Sequence, residues 1–369
     1  MKIAYYTDQI YLHGGIEKVL SQKLNYLSKL EDNEVYLITS EQKNKPFCYN
    51  ISKKIKHFDL GVNYNRNLSY YNFNNLLKLP KHIYSLSLLL KNIRPDVLVV
   101  CNYSFDFYFI PFAAKGMKII KEFHSSRYNY KFEMNNSTLK NKFLYVLNNW
   151  VEEKYNHLVI LNKDEKIYFK SKNTVVIPNA AIKSNTKINS ERKNIIISAG
   201  RIAHVKQFDH LINAWNLIEK KFPEWEVHIY GQGDLNLLAE LEDLIISLSM
   251  KNIHFKGVTD ELNQKMQEAS IYALTSSTEC FPMVLLEALS SGLPVVSYDC
   301  PNGPRNILSS CEDALLVASN NINEFSKSLE FLINDKQKRE YMSNNGLINV
   351  LRFSEDEVML KWINLFNQK

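Results

Sequence analysis

Short apolar runs alternate along the chain with longer segments of helical periodicity, a pattern typical of α/β proteins. In the first half, strands are predicted at 3–6, 35–39, 96–100, 118–120 and 157–160, with a helix at 16–30. In the second half, strands are predicted at 194–198, 226–230, 254–255, 271–274 and 295–297, with helices at 207–221, 235–249 and 282–291. Strand-helix-strand units give parallel strands, so the sequence predicts two doubly wound domains.

A polar segment separates the two series. Residues 181–193 are rich in Ser, Asn and Lys and lack periodicity, which predicts a linker between domains at 1–180 and 194–353. A capping-box pattern before an apolar helical face predicts a last helix within 354–369.

The composition is that of a globular protein, with 45% hydrophobic and 12% aromatic residues in 369. No stretch approaches the roughly 18 apolar residues of a membrane span, and Asp8 precedes any long apolar run. The five cysteines are odd in number and include no Cys-x-x-Cys pair, so neither a disulfide framework nor structural zinc is expected. The expectation is a cytoplasmic protein that is neither exported nor membrane-spanning.

The net charge of +6 conceals an asymmetry between the two halves. Residues 1–180 hold 26 Lys and Arg against 15 acids, whereas residues 181–369 hold 19 against 24. Tyr and Phe are interleaved with many of the cations at 53–142. A basic, aromatic face suits anionic lipid headgroups or a diphosphate-linked acceptor, and no nucleic acid partner is expected. The protein could then lie on the inner face of the cytoplasmic membrane; the alternative is an ordinary Lys-rich solvated surface.

The segment 279–287 carries the most specific pattern. Pro282 suits the start of a helix, because its missing N–H would have no partner there, and 283–289 supplies good helix formers. Neither position 280 nor 281 holds a capping Ser, Thr, Asp or Asn. The free N–H groups at the start of this helix are therefore predicted to bind an anion such as a phosphate group.

Loops that follow predicted strands supply further candidates, because ligands of open α/β sheets bind beyond the carboxyl ends of the strands. Gly14-Gly15 permits close approach of the backbone to a phosphate or a sugar. Arg201 and Lys206 give two positive charges five residues apart, which suits a diphosphate leaving group. The chain contains no Asp-x-Asp, so a metal-bridged diphosphate is disfavoured and no metal or other cofactor is expected. Two ordinary surface cations are the alternative.

Glu279 and Glu287 have the spacing of the Glu-x7-Glu signature, and the chain resembles the retaining glycosyltransferases of family 4. Five further motifs agree with that family in order and spacing, at 14–18, 177–179, 200–206, 229–234 and 292–296. The resemblance covers nearly the whole chain. It implies the GT-B fold, in which two Rossmann-like domains face across a cleft and the last helix returns to the first domain.

The resemblance also implies roles for the donor site. Glu287 would accept hydrogen bonds from the ribose hydroxyls, and the backbone at Val258 would meet the base. Phosphate and sugar would contact the backbone at Phe281, Pro282, Met283 and Val284. This chain has Cys280 and Pro282 where the family commonly has glycines, and the proline removes one donor.

Two residues are implied to contact the transferred sugar. Glu279 would bind its hydroxyls and help to stabilise the positive charge that develops as the bond to phosphate breaks. His124 matches the position of a family residue beside the donor sugar, where an imidazole can bond a hydroxyl. The alternatives are an ordinary loop acid and a structural histidine.

The expected function is therefore transfer of a hexose or N-acetylhexosamine from a nucleotide sugar, most consistent with a UDP-sugar, to a glycan or lipid-linked acceptor. The resemblance implies a metal-independent, retaining hexosyltransferase in the biosynthesis of surface polysaccharide or lipopolysaccharide. Two alternatives remain open: a catalytically silent GT-B partner protein, and a UDP-sugar epimerase or hydrolase.

Overall fold

The computed structural model describes residues 1–70, 72–102, 104–128, 138–181 and 191–368. The chain divides into two compact units, one of Met1–Ile177 with Met359–Lys369 and one of Pro178–Val358. Most of the predicted linker, 182–190, lies outside the described residues. Both of its described ends belong to the second unit. The Ala181 N–H donates to the Phe353 carbonyl at 2.8 Å, and Lys193 pairs with Glu268 at 2.7 Å.

The first unit is built on a parallel sheet of seven strands. The strands are β1 Lys2–Thr7, β2 Glu34–Thr39, β3 Lys56–Asp59, β4 Val97–Val100, β5 Lys118–Glu122, β6 His157–Ile160 and β7 Thr174–Val176. Its described helices are α1 Gly15–Leu27, α2 Phe73–Leu76, α3 Leu79–Ile93, α4 Phe105–Ala113 and α5 Leu139–Glu152. The strand order is β3-β2-β1-β4-β5-β6-β7.

The second unit has a parallel sheet of six strands. They are β8 Ile195–Ala199, β9 Glu226–Tyr230, β10 Ile253–Gly257, β11 Ile271–Leu274, β12 Val295–Tyr298 and β13 Ala314–Val317. The helices after β8 are α6 Phe208–Asn216, α7 Leu235–Ser247, α8 Leu262–Glu268, α9 Met283–Ser290, α10 Ile322–Asn334, α11 Lys336–Asn349 and α12 Glu355–Asn367. The strand order is β10-β9-β8-β11-β12-β13. The predicted fold class, two doubly wound parallel sheets, is confirmed.

Apolar runs form the strands because helices cover both faces of each sheet. All four residues of β4, β11 and β12 are buried. The alternation along the chain predicted ten of the strands, but not β3, β7 or β13. The edge strand β3 is mostly exposed and polar, and β7 has only three partly buried residues, so neither resembles a core strand in sequence.

Each sheet reverses its strand order once, between β1 and β4 in the first unit and between β8 and β11 in the second. The loops that leave the carboxyl ends of these neighbouring strands diverge to opposite sides and leave a crevice between them. Each unit therefore has one such position for a ligand.

Two glycine loops meet beside the reversal point of the second unit, at the carboxyl ends of β8 and β9. Gly231, after β9, has φ +148°, and a Cβ at this position would overlap the carbonyl oxygen of Gly200 after β8. The Gly200 N–H donates to the Tyr230 carbonyl at 2.9 Å, and the Ile202 N–H donates to the Gln232 carbonyl at 3.0 Å. The loop after β8 is therefore held in place by a loop that requires glycine.

The last helix packs its C-terminal part on the first unit. Trp362 of α12 is fully buried, and the Lys118 Nζ donates to the carbonyl of Leu365 at 2.5 Å. Of the helices in the described ranges, none combines the length and apolar character of a membrane span.

Substitution of Gly231 with Ala should strongly destabilise the second unit. The added Cβ would overlap the backbone of Gly200, and the φ angle of Gly231 is disfavoured for any L side chain. We therefore expect the free energy of unfolding to fall by about 3 kcal/mol or more. Gly15→Ala is the matched control, because a Cβ there meets no atom within 4 Å. Urea unfolding of both variants measures the difference, and equal stability of the two would contradict this account of the loop.

Candidate active site

The candidate donor site of the second unit lies at the carboxyl ends of β8 and β11. Arg201 and Lys206 follow β8, and Glu279 lies in the loop after β11. Hydrogen bonds connect these loops: Thr275 Oγ1 donates to the Lys206 carbonyl at 3.0 Å, and the Ser277 N–H donates to the Val205 carbonyl at 2.8 Å. Two segments separated by about 70 residues in the sequence are thus fixed side by side.

Glu279 is held by a cation and a hydroxyl. Its Oε1 lies 2.5 Å from the Lys206 Nζ and accepts a hydrogen bond from Ser276 Oγ at 2.7 Å. Behind it, a Cβ at Gly303 would overlap the Glu279 Cβ, so the glycine makes room for the acid. Among the described residues, no group donates to the other oxygen, Oε2. The carboxylate is therefore fixed in orientation while one oxygen remains able to accept a hydrogen bond.

Lys206, Arg305 and Arg201, three basic residues near this edge in the described part of the chain, differ in their partners. Lys206 is paired with Glu279, and Arg305 makes a bidentate pair with Asp299, at 2.8 Å for both contacts. Arg201 is exposed and has no ion pair or hydrogen bond within the described part of the chain. Its guanidinium therefore provides an uncompensated positive charge at the reversal point.

Helix α9 starts beside this edge without a side-chain cap. Pro282 is the residue before the first helical residue, Met283, rather than the first residue itself as predicted. Its carbonyl accepts the Leu285 N–H at 3.0 Å. The amides of Met283 and Val284 thus belong to the uncapped first turn, where the positive end of the helix dipole favours an anion.

The other residues of this segment are buried. Phe281 is 6% exposed and packs edge-on against Phe353, with 5.5 Å between ring centroids. Glu287 lies inside α9 at 5% exposure, so it is not a solvated helix glutamate. A carboxylate buried this deeply makes a polar contact in nearly every protein, which fits a specific role for Glu287.

Val258 lies apart from this group. It follows β10, two strands away from β8, and is 61% exposed. With neighbouring strands about 5 Å apart, the two loops lie roughly 10 Å from each other along the sheet edge. A nucleotide that spans both loops must therefore lie along the edge of the sheet.

Sequence analysis did not single out Ser276 and Thr278. Ser276 orients Glu279, and Thr278 Oγ1 is buried with no hydrogen-bond partner among the described residues. Only their proximity to Glu279 in the sequence could have indicated them, because small hydroxyl residues are common in any loop.

The first unit contains a pocket of about 590 Å³ at the carboxyl ends of β1, β4 and β5. Gly14, Glu17 and His124 line it, with Arg66 and Arg127. Arg66 pairs with Asp8 at 2.5 Å and with Glu41 at 2.9 Å, and Arg127 pairs with the buried Glu152. Because both guanidinium groups are neutralised, the pocket is polar without a large net charge.

Gly14 and Gly15 form the start of α1 at this pocket. Gly14 is the capping position, with extended backbone, and Gly15 is the first helical residue. Glu17, in the first turn, accepts a hydrogen bond from Gln9 Nε2 at 2.5 Å. Burial raises the pKa of the Glu17 carboxyl. This acid and the glycine turn, rather than a cation, face the pocket at the helix start.

His124 is a buried, neutral histidine. Its Nε2 has no hydrogen-bond partner among the described residues and lies 3.6 Å from Glu122 Oε1. Burial lowers the pKa of His124 to about 4, against the opposing effect of Glu122. The imidazole can therefore bond a hydroxyl without carrying a charge.

Glu122 is kept ionised by a lysine. Burial alone would raise its pKa, but Lys23, His124 and Lys121 together outweigh burial and lower it, and Lys23 is the ion-pair partner. The Lys23 Nζ also lies 4.4 Å from the centroid of the Trp362 ring, so a side chain of α12 packs against the Lys23–Glu122 ion pair. The last helix thus takes part in the electrostatics beneath the pocket.

Cys101, Glu122 and His124 place three potential metal ligands within 4.8 Å of one another. However, the Lys23 ammonium already neutralises Glu122, and Lys121 is fully buried beside it. A divalent ion would have to displace the lysine and add charge next to a second one, which is unfavourable. The donor set therefore suits an ion pair better than a metal.

The stability of the protein should fall in acid because His124 is held neutral. Its pKa of about 4 in the folded chain lies below the usual 6.5, so the unfolded chain binds more protons between these values. Acidification from pH 6.5 to 4 should lower the free energy of unfolding by about 3 kcal/mol, because the unfolded chain binds a proton at His124 and the folded chain does not. His124→Gln should remove that part of the pH dependence in urea unfolding. If the free energy of unfolding depended on pH equally in the variant and in the wild type, His124 would not be the buried, neutral group that we describe.

Known proteins resemble this chain in both of its units. Residues 181–347 match the family described as Glycosyl transferases group 1. The chain is 27% identical to an uncharacterized glycosyltransferase of Haemophilus influenzae over 372 residues, with 98% of each chain covered. A poly(glycerol-phosphate) alpha-glucosyltransferase of Bacillus subtilis is 27% identical over 220 residues, which are 59% of this chain and 32% of that protein.

The solved structure of S. aureus TarM in complex with Fondaparinux, alpha-GlcNAc-glycerol and UDP has a TM-score of 0.77 to this chain. The identity is 15%, and all of both chains is covered, so the likeness shows the fold and confirms the predicted GT-B architecture. The family match over residues 181–347 and the whole-chain similarity to a glycosyltransferase together support a GT-B glycosyltransferase.

Proposed function

We propose that this chain is a metal-independent, retaining glycosyltransferase of family 4 that moves a hexose or N-acetylhexosamine from a UDP-sugar. The acceptor is a glycan or lipid-linked glycan in the biosynthesis of surface polysaccharide or lipopolysaccharide. One observation carries the proposal: Arg201, the Lys206–Glu279 pair and the uncapped start of α9 converge at the reversal point of the second sheet.

The charges at this edge suit the leaving diphosphate. Negative charge develops on the phosphate oxygen as the bond to the sugar breaks, and fixed donors that face this charge lower the barrier. Arg201 brings an uncompensated guanidinium, and Met283 and Val284 bring amides at the positive end of a helix. Lys206, which Glu279 partly neutralises, adds a further donor. Together these groups stabilise the negative charge of the leaving diphosphate, which a divalent ion does in metal-dependent transferases.

Glu279 is suited to the sugar. Oε1 is occupied by Lys206 and Ser276, which fixes the carboxylate plane, and Oε2 accepts a hydroxyl of the transferred sugar. Its negative charge also stabilises the sugar as positive charge develops at the anomeric carbon. Glu287, buried in α9, accepts the vicinal ribose hydroxyls.

Transfer with retention follows from attack on the same face. The anomeric carbon loses its bond to the phosphate oxygen and gains a bond to the acceptor oxygen. The acceptor proton passes to the departing phosphate oxygen, so no covalent sugar-enzyme intermediate forms. In the first unit, the polar pocket takes the acceptor, and the neutral His124 offers Nε2 to a sugar hydroxyl.

The relatives support the substrate classes. The B. subtilis relative is named as a glucosyltransferase that acts on poly(glycerol-phosphate), and the TarM structure contains UDP and a GlcNAc-glycerol. The nearly neutral pocket of the first unit suits hydroxyl-rich glycan better than a multiply charged one.

Nucleotide binding without metal tests the donor site. In the presence of EDTA, UDP should raise the unfolding temperature of the wild type, whereas GDP and ADP should not. Arg201→Ala and Glu287→Gln should each weaken UDP binding about tenfold to a hundredfold, since each removes a charge-assisted hydrogen bond of about 1.5–3 kcal/mol. The exposed Lys220→Ala is the matched cation control and should bind UDP normally.

Three outcomes would contradict the proposal. Absence of any nucleotide effect on the wild type would favour a silent partner protein. Binding unchanged in both variants would place the nucleotide elsewhere. Consumption of UDP-sugar at full rate without any acceptor would indicate an epimerase or a hydrolase.

A further inference from the structure

Helix α5 presents an apolar face to solvent instead of to the core. Leu139, Phe143, Val146 and Trp150 follow one another at spacings of four, three and four, which places them on one face. Their exposures are 86%, 67%, 66% and 46%. In a surface helix such a stripe normally faces the core. Four large apolar side chains in register on the solvent side therefore need an explanation.

The opposite face of α5 makes the contacts with the rest of the unit. Asn148 accepts a hydrogen bond from the Tyr108 hydroxyl of α4 at 2.8 Å, and Val151 is buried. The helix is thus already packed, and its exposed stripe is not needed to anchor it.

An aromatic pair extends the apolar face onto α4. Phe112 is 55% exposed and stacks on Trp150, with 5.7 Å between ring centroids and 26° between planes. We call Leu139, Phe143, Val146, Trp150 and Phe112 the apolar stripe. Exposed apolar residues that occur singly need no explanation, but a continuous patch marks an interaction surface.

Cations border the apolar stripe. Lys142 is exposed on α5, Lys115 is exposed just after α4, and the Lys154 Nζ lies 5.1 Å from the centroid of the Trp150 ring. One acid, Glu153, is exposed at the same end of the helix. The unit around them is the basic half of the chain. A stripe of Leu, Phe, Val and Trp with flanking lysines matches anionic lipid, which accepts the apolar side chains and attracts the ammonium groups.

A second copy of the chain fits this surface less well. In a symmetric dimer, the stripe of one protomer would face that of its partner, and the bordering lysines would face lysines. An anionic bilayer attracts these lysines, so docking on it involves no repulsion between like charges.

We propose that the apolar stripe docks this protein on an anionic bilayer, with the Phe143, Val146 and Trp150 side chains in the headgroup region and Lys142 and Lys154 on the acidic headgroups. This inference deepens the proposed function, because it brings the acceptor-binding unit to the surface where a lipid-linked acceptor lies. Docking itself does not depend on sugar transfer.

The test is sedimentation of the full chain with vesicles. One set consists of phosphatidylcholine alone and the other of an equal mixture of phosphatidylcholine and phosphatidylglycerol. We expect binding to the anionic vesicles to be at least tenfold tighter, and to weaken as salt is added. The double variant Phe143→Asn with Val146→Asn should lose at least tenfold in affinity, and Lys142→Gln with Lys154→Gln should lose severalfold together with part of the salt dependence.

The matched control is Leu235→Asn with Ile246→Asn, which removes two side chains of α7 that are 77% and 73% exposed. This variant should bind the vesicles as the wild type does. All substituted positions are exposed, so the fold is expected to persist, and thermal unfolding checks it.

Three results would overturn the docking proposal: no binding of the wild type to anionic vesicles, equal binding by the stripe variant, or dimers that depend on the stripe in a chain that does not bind vesicles. Stabilisation by UDP in the stripe variant distinguishes the two proposals. Normal UDP binding without vesicle binding would remove the docking surface and leave the proposed function intact.

Discussion

The parallel pairing of strands determines where ligands can bind in this protein more than any other feature does. Within each sheet of the described chain, neighbouring strands run in the same direction, so the loops that follow them leave at one edge. The reversal of strand order then separates two of these loops and creates a crevice. Both candidate sites lie at such an edge. The chemistry of each site depends on which residues the sequence places directly after a strand.

Charge pairing determines what these loops can bind. In the second unit, Lys206 orients Glu279, and Arg201 keeps its full charge for a ligand. In the first unit, the arginines of the pocket are paired with acids, and Lys23 neutralises Glu122 beneath His124. One unit therefore favours an anionic group and the other a neutral, hydroxyl-rich one. This division fits a transferase that binds a nucleotide diphosphate and a glycan.

Much of the fold could be predicted from the sequence, because buried parallel strands are short apolar runs and the helices between them are amphipathic. The helix after Glu279 was predicted to within one residue, since proline and the missing cap are local signals. The edge strands β3 and β7 were not predicted, because pairing on one side only imposes little apolar pattern. The strand β13 and the helices α2, α3, α4, α5, α8, α10 and α11 were also not placed individually.

The site could be predicted only in part. Motif spacing indicated Arg201, Lys206 and Glu279, but not that two of them pair, because that contact joins residues 73 positions apart. The burial of Glu287 depends on neighbours that its own helix does not reveal. The contact of Trp362 with Lys23 likewise requires the last helix to pack on the first unit. Such contacts are properties of the folded chain and not of any local pattern.

Hydrogen exchange of the full chain with and without UDP tests most directly the claim that the second unit holds the nucleotide. Added UDP should slow exchange at the amides of 200–206, 257–258 and 279–287, while the amides of the pocket in the first unit, at 13–17 and 121–127, remain unchanged. Protection confined to the first unit, or none in the loop after β11, would contradict the assignment of the donor site.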